Sequence, residues 1–144
     1  DLRELPVEAI VAFQKRYRLV DSRCYTSGVW GAAYLIHGGC SDDAFEDFRG
    51  WMIALGEDVV ANAIADPQTL GRYAAKPVVR YHNYGNVECD GVQYAARVAY
   101  EYKTGRDDFH EVVSYRNVDR DRSIPVIDWA DDPSVLAKRF PQLA

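Results

Sequence analysis

Four carboxylates, Asp42, Asp43, Glu46 and Asp47, fall within six residues, and His37 and Cys40 stand just ahead of them. Such a group can do three kinds of chemistry. Asp42 or Asp43 could act as a general base or hold a cation, with Glu46, Asp47 or Glu101 converging from elsewhere. Cys40 at a helix N-terminus could be a nucleophile of lowered pKa, with His37 as its base and Asp42 to orient it. His37, Cys40 and Asp43 could contribute to a zinc site, although His82 and Cys89 would have to complete it from a distant loop. Each has a plainer counterpart. Capping accounts for the types and spacing of the two aspartates, Cys40 suits a small buried hydrophobe, and a His-x-x-Cys pair alone is no structural zinc pattern. The acidic pattern of a calcium loop is missing. No metal and no cofactor is therefore expected.

Trp30, Tyr34, Phe48 and Trp51 flank this acidic turn on both sides. Aromatics at helical spacing build cores, yet Trp and Tyr keep polar tips. Four of them around a charged reversal could line a cleft, with Arg49 as an anion clamp and Tyr100-Glu101 closing it from a later helix. The expected ligand-binding surface is thus Trp30, Tyr34, Asp42, Asp43, Phe48, Arg49, Trp51, Tyr100 and Glu101.

The elements that would position these residues are helices. Pro6 suits the first turn of a helix whose stripe of Val7, Ile10, Val11, Phe13, Tyr17 and Val20 runs to about residue 25. Thr26-Ser27-Gly28 breaks it, and a second helix spans 29–37. Gly38-Gly39 can take positive φ and end that helix in a left-handed cap. Ser41, Asp42 and Asp43 can each cap the next helix, over 42–55, with Asp43 and Glu46 as the best capping-box pair. That helix is expected to bury Phe45, Phe48, Met52 and Leu55, and Glu46 can meet Arg49 on its outer face. A shorter helix follows from Glu57 to Ala65, ended by Asp66-Pro67, with a further turn or two to Ala75. Val92, Tyr94 or Ala95, Val98, Ala99 and Tyr102 restore helical spacing, closed at Thr104-Gly105. Glu111 to Val118 could make a strand but lacks a partner, and Ser134 to Arg139 forms a last short helix. The fold class is all-α: a single domain over 1–144, of five to seven helices, with irregular loops near 76–90 and 106–130.

The run Trp30-Gly31-Ala32-Ala33-Tyr34-Leu35-Ile36, then Gly38 to Asp43, then Phe48-Arg49 and Trp51, resembles a mostly bacterial family of helical proteins, number 4240 among the domains of unknown function. Tyr94-Ala95-Ala96-Arg97-Val98-Ala99-Tyr100-Glu101-Tyr102-Lys103-Thr104-Gly105 and Arg139-Phe140-Pro141-Gln142-Leu143 are similar to later pieces of the same family. Two features depart from its pattern: a further N-terminal helix with an aromatic pair is lacking, and His37 stands where Asn is usual. The resemblance implies a helical fold and a candidate surface around the turn, and no activity.

Composition narrows the function. At 144 residues, 48% hydrophobic and 12% aromatic, the chain is long enough to bury about two thirds of its unfolded surface. The net charge of −5 offers no attraction to nucleic acid or an anionic membrane. Arginines are interleaved with acids, as in Asp119-Arg120-Asp121-Arg122. No apolar run approaches the roughly 18 residues that span a bilayer. Three cysteines without a CxxC pair suit reduced thiols and a cytoplasmic location, although a first residue other than Met is compatible with a trimmed leader. Without a complete catalytic motif, the expected function is a binding or regulatory module for a peptide, protein or small molecule. The alternative is a small enzyme using Asp42, Asp43 or Glu101 as acid or base with Arg49 as the clamp.

Overall fold

Helix α1 (Val7–Cys24) starts directly after Pro6, whose φ of −58° is already set for a helix start. The computed structural model describes residues 1–74, 91–113, 129 and 132–143. After α1 come α2 (Ser27–His37), α3 (Asp42–Ala54), α4 (Glu57–Ala65), α5 (Gly71–Ala74), α6 (Gly91–Thr104), α7 (Phe109–Val113) and α8 (Pro133–Arg139). Short 3₁₀ turns lie at Leu2–Glu4 and Pro67–Leu70, and no strand occurs among the described residues. The all-α expectation holds: eight α-helices lie among the described residues, of which α5 and α7 are the shortest. The expected strand from Glu111 begins instead inside α7, and the rest of it, like the loop near 76–90, lies outside the described residues.

The reversal between α2 and α3 is built as its glycines require. Gly38 has φ 71° and Gly39 φ 135°, and the Gly39 N–H donates to the Tyr34 carbonyl at 2.8 Å. Trp30 reaches across the turn, its Nε1 donating to the Cys40 carbonyl at 3.0 Å. The cap of α3 differs from the expected one. Ser41, rather than Asp43, is the N-cap, its Oγ accepting from the Ala44 N–H at 3.2 Å. Asp42 and Asp43 occupy the first turn, where they complement the helix dipole. Ser41→Ala should therefore lower stability by about 1 kcal/mol, and Asp43→Ala should give a smaller loss that fades with added salt. Denaturant titrations at two ionic strengths check both, and a larger loss for Asp43 would reverse the assignment.

Two apolar clusters fill the interior. The larger joins α2, α3, α4 and α8, with Trp30, Phe45, Phe48, Trp51, Met52, Trp129 and Leu136 among its members. The smaller joins Ile10 of α1 to Ala96, Ala99 and Tyr100 of α6 and to Phe109 and Val113 of α7. Helix α1 belongs to both, since Cys24 enters the first cluster and Ile10 the second. It packs on α3, α4, α6 and α7 and is the beam of the molecule. Two expected faces shift. Leu55 is exposed rather than buried, and α6 turns Ala96, Ala99 and Tyr100 inward while Tyr94, Val98 and Tyr102 face out. Alanines let α6 lie close to α1, and this close approach outweighs the larger side chains on its other face.

At the far end, α8 closes on α2. A Cβ added to Gly31 would stand 2.8 Å from Leu136 Cδ2 and 3.1 Å from Phe140 Cε2, so a larger residue there would push both side chains aside. The tail is also tied to the Pro67–Leu70 turn, where the Gln142 N–H donates to Gln68 Oε1 at 3.1 Å.

Candidate functional site

Along α1, Val7, Ile10, Gln14, Tyr17, Asp21 and Cys24 follow a 3–4 spacing that keeps one face inward. Two members of that stripe are polar. Gln14 is 4% exposed and Asp21 also 4%, and each is held differently.

Asp21 is matched by Arg49 of α3. Arg49 Nε donates to Asp21 Oδ1 at 2.7 Å and Nη2 to Oδ2 at 3.4 Å. The guanidinium is 2% exposed and lies over the rings of Tyr25 and Phe45, 4.8 and 4.7 Å from their centroids. Arg49 is therefore not the anion clamp expected at the surface, nor does it meet Glu46 on the outer face of α3. The guanidinium is enclosed by two rings and one carboxylate, and its Nη1 is buried without a hydrogen-bond partner.

Gln14 has no such match. Its Oε1 is buried and accepts no hydrogen bond. It lines a pocket of 130 Å³ together with Tyr17, Arg18 and Asp21 of α1, Glu46 of α3, Gln93, Tyr94 and Arg97 of α6, and Phe109 and His110 of α7. The four α1 residues stand at i, i+3, i+4 and i+7, so one helix face supplies that wall. Gln93 Nε2 donates to Asp47 Oδ1 at 3.2 Å and ties α6 to α3. Arg97 lies over the Tyr94 ring at 5.6 Å and pairs with Glu101 at 3.6 Å, both side chains remaining nearly half exposed. Below the pocket, Tyr100 Oη donates to Asp108 Oδ1 at 2.9 Å, and Arg106 also pairs with Asp108. Burial works to raise the Asp108 carboxyl, but the bonds from Tyr100 and Arg106 outweigh it and hold the carboxyl below its ordinary range.

None of the nine residues expected to form the cleft lines this pocket. Trp30, Phe48 and Trp51 are core residues of the larger cluster, and Tyr34 packs on its edge against Trp129 at 5.0 Å. Tyr100 belongs to the smaller cluster. Asp42 and Asp43 are exposed on the first turn of α3, and Glu101 is engaged by Arg97 within α6. The structure thus divides the nine between two cores and the solvent.

The cysteine and metal readings meet similar geometry. Cys40 lies partly buried at the turn, and Cys24 is a free thiol in the core. Burial, reinforced by the Asp21 charge, pushes the Cys24 thiol up to about 12, which keeps it protonated and unreactive. His37 stacks edge-on against Phe48 at 5.4 Å. Among the described residues no three or more His, Cys, Asp or Glu gather where they could hold a metal ion. Cys89 and His82 lie outside the described residues.

The model of a family described as "Protein of unknown function (DUF4240)" matches residues 1–102. The chain belongs to that family. The DUF4240 match takes in α1, α3 and the part of α6 that carries Gln93, Tyr94 and Arg97, and so three of the four walls of the pocket. Phe109 and His110, and the similar tail at Arg139 to Leu143, lie beyond the DUF4240 match. No curated protein and no solved structure matches the chain.

The sequence signal for this site was present in α1. A glutamine and an aspartate at core positions of an otherwise apolar stripe mark buried polar groups, which need a partner or a purpose. The acidic turn drew the eye because its residues are adjacent, whereas the pocket draws its residues from four helices.

Proposed function

We propose that this DUF4240 domain is a binding module for a small polar ligand, and that the pocket between α1, α3, α6 and α7 receives it. The observation that carries this reading is the Gln14 amide. A buried polar atom without a partner costs about 1–3 kcal/mol, and a site kept at that cost is expected where a ligand supplies the missing bonds. The pocket lies well below the about 300–1,000 Å³ common for drug-sized ligands, so its occupant is small. Tyr17 and Phe109 give it apolar walls, and Arg18, Glu46 and Arg97 give it charge of both signs. No described helix is long and apolar enough to cross a membrane. The proposal places the module in the cytoplasm, where the free thiol Cys24 would stay reduced.

Gln14→Leu tests the reading. The variant should gain about 1 kcal/mol or more in denaturant unfolding, because an apolar side chain of similar size relieves the unsatisfied amide. It should also lose the thermal stabilisation that small polar metabolites, screened singly, give the unmodified chain. A loss of stability on this substitution would show that the amide serves the fold, and the binding reading would fall.

A further inference from the structure

The charges around the pocket are arranged, and their arrangement names a ligand class. Of the two acids, Glu46 stands on α3, and Asp21 stands on α1 with its charge matched by Arg49 of α3. Helices α6 and α7 contribute Arg97, Tyr94 and His110, and α1 contributes Arg18. Asp21 is matched by Arg49 and Arg97 by Glu101, and Glu46 and Arg18 carry opposite signs, so the pocket as a whole attracts neither an anion nor a cation. What it favours is a ligand with separated charges of its own.

We infer that the pocket recognises a free α-amino acid with a short side chain. The inference rests on the pocket being a ligand site. The ammonium meets Glu46, the carboxylate meets the guanidiniums of Arg97 and Arg18, and the Gln14 amide bonds the polar atoms between them. Three further features agree. The Arg97–Glu101 pair is long and half exposed, so a carboxylate can take a share of Arg97 at little cost. A plain anion would be brought up against Glu46, and a plain amine against Arg97 and Arg18, each with a desolvation penalty and no compensating bond. The cavity of 130 Å³ has room for a compact backbone group with a small side chain.

The test is an NMR titration of the ¹⁵N-labelled chain, following the Gln14 side-chain amide signals. The probes are L-alanine, which carries both charges, propionate, which keeps only the carboxylate, and ethylamine, which keeps only the ammonium. L-alanine should shift the Gln14 signals and bind at least about tenfold more tightly than either half-ligand. In Glu46→Gln, an exposed position whose change leaves the fold intact, the preference of L-alanine over propionate should fall by about tenfold. If propionate binds as tightly as L-alanine at the same signals, the pocket is an anion site. If ethylamine does, it is a cation site. In both cases the amino-acid class is wrong while the ligand site stands. If no probe moves the Gln14 signals at millimolar concentration, and a wider screen of small polar compounds also leaves them still, the ligand site itself is refuted along with its class.

Discussion

Arg49→Met should destabilise the domain by about 3–5 kcal/mol, which is the loss expected when one member of a buried ion pair is removed. The size of the effect comes from Asp21 more than from Arg49. With the guanidinium gone, a carboxylate that is 4% exposed stays buried and loses its 2.7 Å bond to Arg49. Methionine fills much of the vacated length, so packing contributes less than charge. Adding Asp21→Asn to the same chain removes the stranded charge and should return a large part of the loss. Guanidinium chloride unfolding of both single variants and the double one measures this, and a single-variant loss below about 1 kcal/mol would show the pair to be incidental. Because that stability is a substantial fraction of the about 5–15 kcal/mol typical of a domain, the variant should also show reduced yield on expression.

Phe45→Ala should cost a similar amount, about 3–5 kcal/mol, for a different reason. Phe45 is fully buried. It stacks on Trp30 at 4.8 Å with the planes 12° apart and meets Tyr25 at 5.7 Å. On one side its ring also carries the Arg49 guanidinium. Truncation leaves a cavity between α1, α2 and α3 and takes away one of the two rings that shield the ion pair. The losses from Phe45→Ala and Arg49→Met should therefore not add. A double-mutant cycle should return a coupling of about 0.5–2 kcal/mol, and strict additivity would mean that ring and cation are independent.

The fold was legible because its signals are local. Gly38-Gly39 require positive φ, Asp66-Pro67 stops α4, and the spacing of Phe45, Phe48 and Met52 marks one face of α3, so the helices through Ala65 can be placed from neighbouring residues alone. Which side of α6 is inward was not legible. It follows from how closely α1 approaches, and the exposed Tyr94, Val98 and Tyr102 give a stronger apolar signal than the buried Ala96 and Ala99. The candidate site was obscured for a related reason. Arg49 beside Glu46 in sequence reads as a surface pair, but its partner is Asp21, 28 positions away. Gln14 reads as an ordinary polar residue until a second and third helix are laid over it. Adjacent charges advertise themselves, whereas a pocket assembled from α1, α3, α6 and α7 leaves only the interruption of a stripe.

The seat of α8 on Gly31 bears on how the chain reaches this structure. The two surfaces lie far apart in the sequence, and their meeting completes the larger cluster around Trp129, Leu136 and Phe140. Contacts of such span form late, since the intervening chain must be closed before they stabilise anything. During synthesis, α2 would leave the ribosome with an uncovered apolar strip and keep it until α8 follows. Pairing between α2 and α8 is therefore the step at which a nascent chain either commits to the native core or lends its bare strip to a neighbour.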